Sequence, residues 1–392
     1  MEIRKCRAED RKALVCLGVL AFGESVSDWE EYFDPEKNPL LDPDQVYAIE
    51  EDGEVRASAT VLPLEVYVDG NPAPMGGVSA VMVHPAYRRR GYAGRLMRAV
   101  LTGMRERGTR LSMLWPFAHS FYRSFGYELA GETVSYTLKP TDLPTSDEQK
   151  QVRAYREEDL PHMISLFEAE ASEHRLCVRR SEEWWRSESF WDEEWKAAVY
   201  ERDGRVEGYV IYKMSGWRDR KPPRELKVSE LISSTIRSHD ALISFLAAQD
   251  PLVFEIKHST PRNSPLHPYL RSSYVGAEVS PEFMLRLVDV EGALNLLKHT
   301  ADEPLVLEVT DDVIPENVGE YTMGGGEVIR GAEAENRVSL DVRQLAQLYA
   351  GYLTAEQLAR HGLVEYGSGR DLDLLEAYFP PGDPWVSPSD HF

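Results

Sequence analysis

Hydrophobic and polar positions along the chain follow two rhythms. Short runs alternate apolar with polar residues, which suits a half-buried strand; longer runs space apolar residues three or four apart, which suits one face of a helix. Ile3 to Cys6 has the first rhythm, and Leu14, Leu17, Val19, Leu20 and Phe22 have the second. Tyr47 to Glu50 and Val55 to Leu64 flank Asp52-Gly53, and Glu65 to Val68 leads into Asp69-Gly70-Asn71-Pro72. Both patterns predict hairpins, because Asp-Gly tolerates the positive φ that a tight hairpin turn demands. Val78 to Val83 reads as a strand, Ala93 to Arg107 as a helix and Leu111 to Trp115 as a buried strand. Phe121-Tyr122 begins a short helical stretch, and Val134 to Leu138 is a further strand.

Lys139 to Gln151 is polar, holds two prolines and has no period, so it reads as a linker. Beyond it the opening pattern returns. Val152 to Leu160 echoes Ile3 to Arg11, and Ala198 to Tyr209 repeats the strand, Asp-Gly, strand order of Tyr47 to Ala59. Two matches in the same order and at nearly the same offset favour duplication of a domain-sized unit. A third pattern opens near Pro281. It has strands at Leu285 to Val290, Leu305 to Val309 and Val338 to Val342, and helices at Glu291 to Lys298, Val342 to Tyr349 and Ala355 to His361. The tail from Phe379 carries four prolines and ends on Phe392. These breaks predict three α+β domains over residues 1–142, 150–282 and 283–392.

Composition narrows the function. The 392 residues are 42% apolar and 28% charged, ordinary values for a globular protein long enough for several cores. The net charge of −22 repels nucleic acid and anionic membrane and favours cationic ligands wherever carboxylates converge. Cys6, Cys16 and Cys177 are scattered, so neither a disulfide framework nor a metal site is expected. The charged N-terminus lacks a signal-peptide core, no run of about 18 apolar residues marks a membrane span, and a cytoplasmic location is expected.

Chemistry concentrates where the strand Val81-Met82-Val83 runs through His84-Pro85-Ala86-Tyr87 into Arg88-Arg89-Arg90-Gly91-Tyr92-Ala93-Gly94 and a helix. Gly91 permits a tight turn, the unpaired N–H groups at a helix start attract anions, and the arginines add fixed positive charge. A pyrophosphate fits such a loop. In the second repeat the counterpart of this strand is Leu226 to Ile232, followed by Ser233-Ser234-Thr235-Ile236-Arg237-Ser238-His239-Asp240. Neither the arginine run nor the glycine is there, so that domain is expected to hold no cofactor.

The segment His84-Pro-x-Tyr-Arg-Arg-Arg-Gly-x-Ala93 after a valine-rich strand resembles the acetyl-CoA signature of the GNAT acyltransferase superfamily. Phe121-Tyr122-Arg123-Ser124-Phe125-Gly126-Tyr127 is similar to a segment that often follows the next GNAT strand. The whole-chain layout resembles the Eis (enhanced intracellular survival) family of bacterial aminoglycoside acetyltransferases and their relatives. That resemblance implies a GNAT domain, a degenerate second GNAT domain and a third domain like sterol carrier proteins.

The resemblance also implies acetyl transfer from acetyl-CoA to a primary amine by direct attack, without metal. Aminoglycoside-like polyamines lead as acceptors. Acetylation of protein lysine, and acyl-CoA sensing without turnover, stand as alternatives. Val81, Met82, Val83, Arg88, Arg89, Arg90, Gly91, Tyr92, Ala93 and Gly94 would bind acetyl-CoA, with a backbone N–H near Val83 polarising the thioester. Tyr122 would be the general acid, Tyr127 a core residue, and the terminal carboxylate of Phe392 the base. His391, His119, Glu24 and Asp28 are competing bases. Glu24, Asp28, Trp29 and His391 are candidates for the acceptor site, although Trp29 suits a helix core equally well. A homo-oligomer, a hexamer by resemblance, is expected.

Overall fold

The computed structural model describes residues 2–187, 190–191, 195–215, 224–249, 251–263, 266–299, 301–331 and 333–392. Along residues 2–131 lie β1 (Glu2–Lys5), α1 (Arg11–Phe22), α2 (Val26–Tyr32), β2 (Val46–Glu51), β3 (Glu54–Val68), β4 (Asn71–Val83), α3 (Tyr92–Glu106), β5 (Leu111–Leu114), α4 (His119–Arg123) and β6 (Glu128–Leu129). Residues 132–281 form β7 (Glu132–Leu138), β8 (Val152–Ala154), α5 (Leu160–Glu173), β9 (Val178–Arg179), α6 (Glu182–Arg186), β10 (Trp195–Arg202), β11 (Arg205–Met214), β12 (Arg224–Ser233), α7 (Ile236–Ala247), β13 (Val253–Pro261) and β14 (Gly276–Pro281). The rest of the chain forms β15 (Met284–Leu287), α8 (Val290–Leu294), β16 (Leu305–Thr310), β17 (Gly319–Gly324), β18 (Glu327–Arg330), β19 (Asn336–Asp341), α9 (Val342–Ala350), α10 (Ala355–Arg360), β20 (Val364–Tyr366) and α11 (Gly369–Tyr378).

The chain divides into two compact units. One holds residues 1–131, 282–382 and Phe392; the other holds 132–281 and 383–391. In the first unit one sheet runs β1-β2-β3-β4-β5-β15-β6 and a second runs β18-β17-β16-β19-β20. Helix α3 packs on the first sheet because Leu96, Met97, Val100, Leu101 and Met104 form one apolar stripe, each almost completely buried. Helix α1 buries Leu14, Val15, Leu17 and Gly18, and a Cβ at Gly18 would run into the Trp29 indole. Leu20 and Phe22, expected on the buried face, are about half exposed, because that face turns toward Leu14 and Leu17 instead.

Several elements differ from the sequence reading. The strand expected at Leu285 to Val290 is the shorter β15, and it lies inside the first sheet, antiparallel to both β5 and β6. All four of its residues are buried, as a central strand requires. Arg286 in it is fully buried, donates to Asp311 at 2.6 Å, and approaches Gly126 so closely that any Cβ there would strike the guanidinium. This contact, together with a φ of 78°, is why Phe125-Gly126-Tyr127 carries glycine. The helix expected over Glu291 to Lys298 is the single turn and a half of α8.

The second unit has one sheet, β14-β7-β13-β12-β11-β10-β8. A boundary at residue 142 assigns Val134 to Leu138 to the first domain, but the segment lies in β7 and pairs with β13 and β14. Val134, Tyr136 and Leu138 alternate into the core of this unit, and that burial fixes the strand there. The expected linker is also folded. Lys139 to Gln151 forms two 3-10 turns, Leu143 is buried, and the Ser146 N–H donates to Ser244 Oγ at 2.9 Å.

The internal repeat has a three-dimensional signature. In the first unit Arg4 clamps Asp10 at 2.6 Å and Glu50 at 2.7 Å, while the Arg7 N–H donates to Asp10 at 2.7 Å. In the second, Arg153 clamps Asp159 at 2.7 Å and Glu201 at 2.6 Å, and the Arg156 N–H donates to Asp159 at 2.8 Å. Each constellation ties an opening strand to its neighbouring strand and to the start of the first helix.

The tail is anchored inside the second unit by a buried charge cluster. Arg180, fully buried, donates to Asp390 at 2.6 Å and also pairs with Glu230. Tyr209 donates to Glu230 at 2.9 Å, Ser387 bonds the same carboxylate, and the Phe167 and Trp185 rings flank the guanidinium. Removing the cation would leave two carboxylates buried without compensation. Arg180→Met is therefore expected to cost about 3–5 kcal/mol, read as a lower midpoint in urea unfolding. A midpoint within error of the parent would contradict the cluster's role.

Candidate active site

The site begins where two strands part. Strands β4 and β5 pair in parallel only from Met75–Leu111 to Gly77–Met113. Past Gly77, β4 continues to Val83 with β3 as its only partner among the described residues. Its other edge therefore carries backbone groups with no strand to bond. A bulge sharpens the divergence: the β3–β4 register shifts between Ser58 and Thr60, and Ala80 sits at φ 47°, unusual for a residue other than glycine. Tyr32 braces this point, its hydroxyl donating to Ser79 Oγ at 2.8 Å. Burial pushes that phenol up to about 12, so it stays a donor.

The strand leads into the arginine loop. Arg89 has φ 64° and Gly91 φ 79°, so the loop curls back before α3 begins. No side chain caps α3, and the first helical bond runs from the Arg95 N–H to the Gly91 carbonyl. The N–H groups of Tyr92, Ala93 and Gly94 thus precede the ladder and suit an anion. Arg88, Arg89 and Arg90 are exposed, with Arg90 stacked on Tyr87 at 4.6 Å. The Tyr92 side chain is buried and donates to Glu51 at 2.7 Å, which leaves only its backbone for a cofactor. These residues fit a diphosphate at the helix start and an extended thiol arm along the open edge of β4. Val81 and Val83 are part-buried on that strand, and Met82 is buried between them.

The second unit has the corresponding fork without the anion site. Strands β12 and β13 pair in parallel and stop pairing after Val228–His258. Helix α7 starts with Thr235 and Ser238 in a reciprocal cap, each side chain accepting from the other's backbone N–H at 3.1–3.2 Å. The cap takes up the Ser238 N–H, and neither the arginine run nor the glycine of the first loop precedes this helix, so it offers a phosphate less.

The chain end lies at the first fork. A Cβ at Gly77 would come within 2.6 Å of the Phe392 ring, and the Trp115 ring meets that of Phe392 edge-on at 4.5 Å. Phe392 thus rests on the last paired residue of β4. Tyr122, on α4, is 97% buried by area and packs against Phe117, Phe121 and Tyr127. Burial, helped by Tyr127, holds its phenol above the usual range, so it keeps its proton. Tyr127 is fully buried and shares a hydrogen bond with Ser112, which in turn donates to the Gly76 carbonyl at 2.7 Å.

The acceptor-site candidates separate. Glu24 and His391 are exposed. Asp28 is exposed and accepts the Ser25 N–H at 3.1 Å as part of the α2 cap. Trp29 is buried among Phe22, Tyr32 and Phe33, which makes it core. Gly77 and Trp115 were missed in the sequence. The Gly76-Gly77 pair inside a strand was the available signal for a close approach; Trp115 offered none beyond its place at a strand end. Among the described residues no group of three or more metal-ligating side chains occurs, and no helix is long and apolar enough to cross a membrane.

Parting parallel strands, a bulge, and an uncapped glycine-led helix define an acyl-CoA N-acyltransferase domain. Family comparison agrees. Residues 2–130 and 176–287 each match an acetyltransferase (GNAT) domain, and 290–387 match a sterol carrier protein domain. The chain is a GNAT N-acetyltransferase, with two such domains in tandem and a sterol-carrier-like domain behind them. It is similar to uncharacterized N-acetyltransferases of Streptomyces avermitilis, at 26% identity over 81% of both chains, and Streptomyces griseus, at 26% over 81% of this chain and 82% of the relative. In fold it resembles a GCN5-related N-acetyltransferase from Anabaena variabilis, with TM-score 0.88, 22% identity and full coverage of both chains. It likewise resembles Eis1 from Mycobacterium abscessus, with TM-score 0.82, 23% identity and full coverage of both.

Gly77 tests the geometry. Gly77→Ala should displace the Phe392 ring and lower kcat about tenfold or more, while acetyl-CoA affinity, set by the loop and the rest of β4, changes little. Steady-state kinetics beside acetyl-CoA titration calorimetry separates the two; an unchanged kcat would detach Phe392 from the chemistry.

Proposed function

We propose that this protein transfers the acetyl group of acetyl-CoA to a primary amine of a small polycationic acceptor of the aminoglycoside type, in a ternary complex and without metal. The observation that carries this reading is the seat of Phe392 at Gly77, where the fork opens. This contact supports a terminal carboxylate close to an acyl group that lies along the open edge of β4. A terminal carboxylate is ordinarily ionised at neutral pH, with a pKa near 3.5, so it accepts the proton that the ammonium must lose before attack. The amine nitrogen bonds to the acetyl carbon and the C–S bond breaks. A backbone N–H on the open edge of β4 beyond Gly77 stabilises the charge growing on the carbonyl oxygen.

The leaving thiolate takes its proton from the Tyr122 phenol. Burial raises the phenol's pKa, and the same dry surroundings raise the proton affinity of the thiolate, which keeps the transfer feasible. The net charge of −22 supports a cationic acceptor, with Glu24 as a contributor just before α2. We further propose that the protein works in the cytoplasm as a homo-oligomer, a hexamer by the same resemblance.

Release of free CoA from acetyl-CoA, monitored with a coloured thiol reagent across a panel of amines, tests the function. CoA is expected only when an amine is present, fastest with polyamines. Release that ignores amines, or none at all with intact acetyl-CoA binding, would point to a sensor. Tyr122→Phe should lower kcat about a hundredfold at unchanged acetyl-CoA affinity. Because the Tyr122 pKa is raised, the protonated acid persists as pH rises, and kcat should not fall on the alkaline side below about pH 10. An alkaline limb centred near pH 8 would remove Tyr122 from the acid role.

A further inference from the structure

The described residues do not fill the second fork. Where β12 and β13 part beyond Val228 and His258, a cavity of about 350 Å³ opens between Ser229–Ser233 and Ser259–Pro261. This lies at the small end of the range in which proteins hold small molecules. Asp383 and Trp385 of the tail complete its wall, and both belong to the same unit.

Its lining is rich in acceptors. His258 is 91% buried by area, and its Nδ1 has no hydrogen-bond partner among the described residues. In the neutral ring the tautomer with its proton on Nε2 presents a lone pair on the unpartnered Nδ1. Burial, with His239 nearby, lowers the pKa of His258 to about 4, so the ring is neutral at pH 7 and an acceptor. The Nδ1 of His239, on the same wall, has no hydrogen-bond partner among the described residues and lies 3.7 Å from the Asp240 carboxylate. His174 stands between two carboxylates, 3.2 Å from Glu170 and 3.6 Å from Asp383. Burial lowers its proton affinity, but the two acids outweigh that and its pKa ends above the ordinary value. Even with a proton on His174, two carboxylates leave the cavity negative. An unpaired buried acceptor is costly unless a donor reaches it.

We propose that the cavity in the second GNAT domain is a binding site for a small ammonium ligand, whose N–H donors meet His258 Nδ1 and whose charge is held by Glu170 and Asp383. It is separate from the acetyl-transfer site, since its helix start lacks the arginine loop and every residue named lies in the second unit. The proposal does not depend on the acceptor chosen by the first domain.

The full-length protein labelled with ¹⁵N-histidine can be titrated with 1,4-diaminobutane, using 1,4-butanediol as the uncharged control. His258 is assigned by the resonance lost in His258→Gln. The diamine should shift the His258 Nδ1 resonance saturably, in the parent and equally in Gly91→Val, whose lesion lies in the first domain. Glu170→Gln should weaken that titration about tenfold, the worth of one charge-assisted hydrogen bond, with the protein still folded by circular dichroism. No saturable shift at His258, or a diol that shifts it as well as the diamine, would overturn the proposal. A shift abolished by Gly91→Val would assign the binding to the first domain and overturn it equally.

Discussion

The parallel pairing of β4 with β5 ends at Gly77, and the rest of the site depends on that ending. A strand that loses its neighbour exposes backbone donors and acceptors, each costly to desolvate without a partner. Here the exposed edge is built deliberately. Ala80 holds a positive φ that costs about 1–2 kcal/mol for a residue with a Cβ, and Tyr32 braces the strand beside it. The strain turns β4 away and creates an edge that a ligand with alternating amide groups could complete. The same opening seats Phe392, because Gly77 has no side chain to exclude it.

Duplication explains why the protein has two such openings and how they diverged. The Arg4–Asp10–Glu50 and Arg153–Asp159–Glu201 clamps show one scaffold used twice. The two copies differ just beyond the fork. In the first domain an uncapped, glycine-led helix with three exposed arginines leaves its donors available for a phosphate. In the second, Thr235 caps the Ser238 N–H, the arginine run and the glycine are missing, and the fork is a polar chamber walled by the tail.

Much of this was legible in the residues. The arginine loop, the strand before it, the hairpins at Asp52-Gly53 and Asp69-Gly70 and the repeat all arise from local chemistry: turn propensity, charge and periodicity. The parts that were not legible are non-local. Nothing in Met284–Leu287 says that it inserts between β5 and β6, since a run of buried residues suits any central strand. Nothing in Val134–Leu138 says which sheet it joins. Trp29 and Asp28 looked like an acceptor wall because aromatic and acidic residues mark both pockets and capped amphipathic helices. The structure uses them as core and cap. Gly77 and Trp115 matter only because residue 392 returns to them, a contact no local window contains.

The central proposal is that the Phe392 carboxylate is the base. Its most direct test leaves every side chain in place and alters one functional group. Semisynthesis can deliver the full chain with a carboxamide at Phe392, which has the same shape but cannot accept the proton. The account predicts a kcat lowered about a hundredfold or more, with the melting temperature and acetyl-CoA affinity of the parent. A carboxamide enzyme that turns over amines at the parental rate would show that the base lies elsewhere, with His391, His119, Glu24 and Asp28 as the groups left to examine.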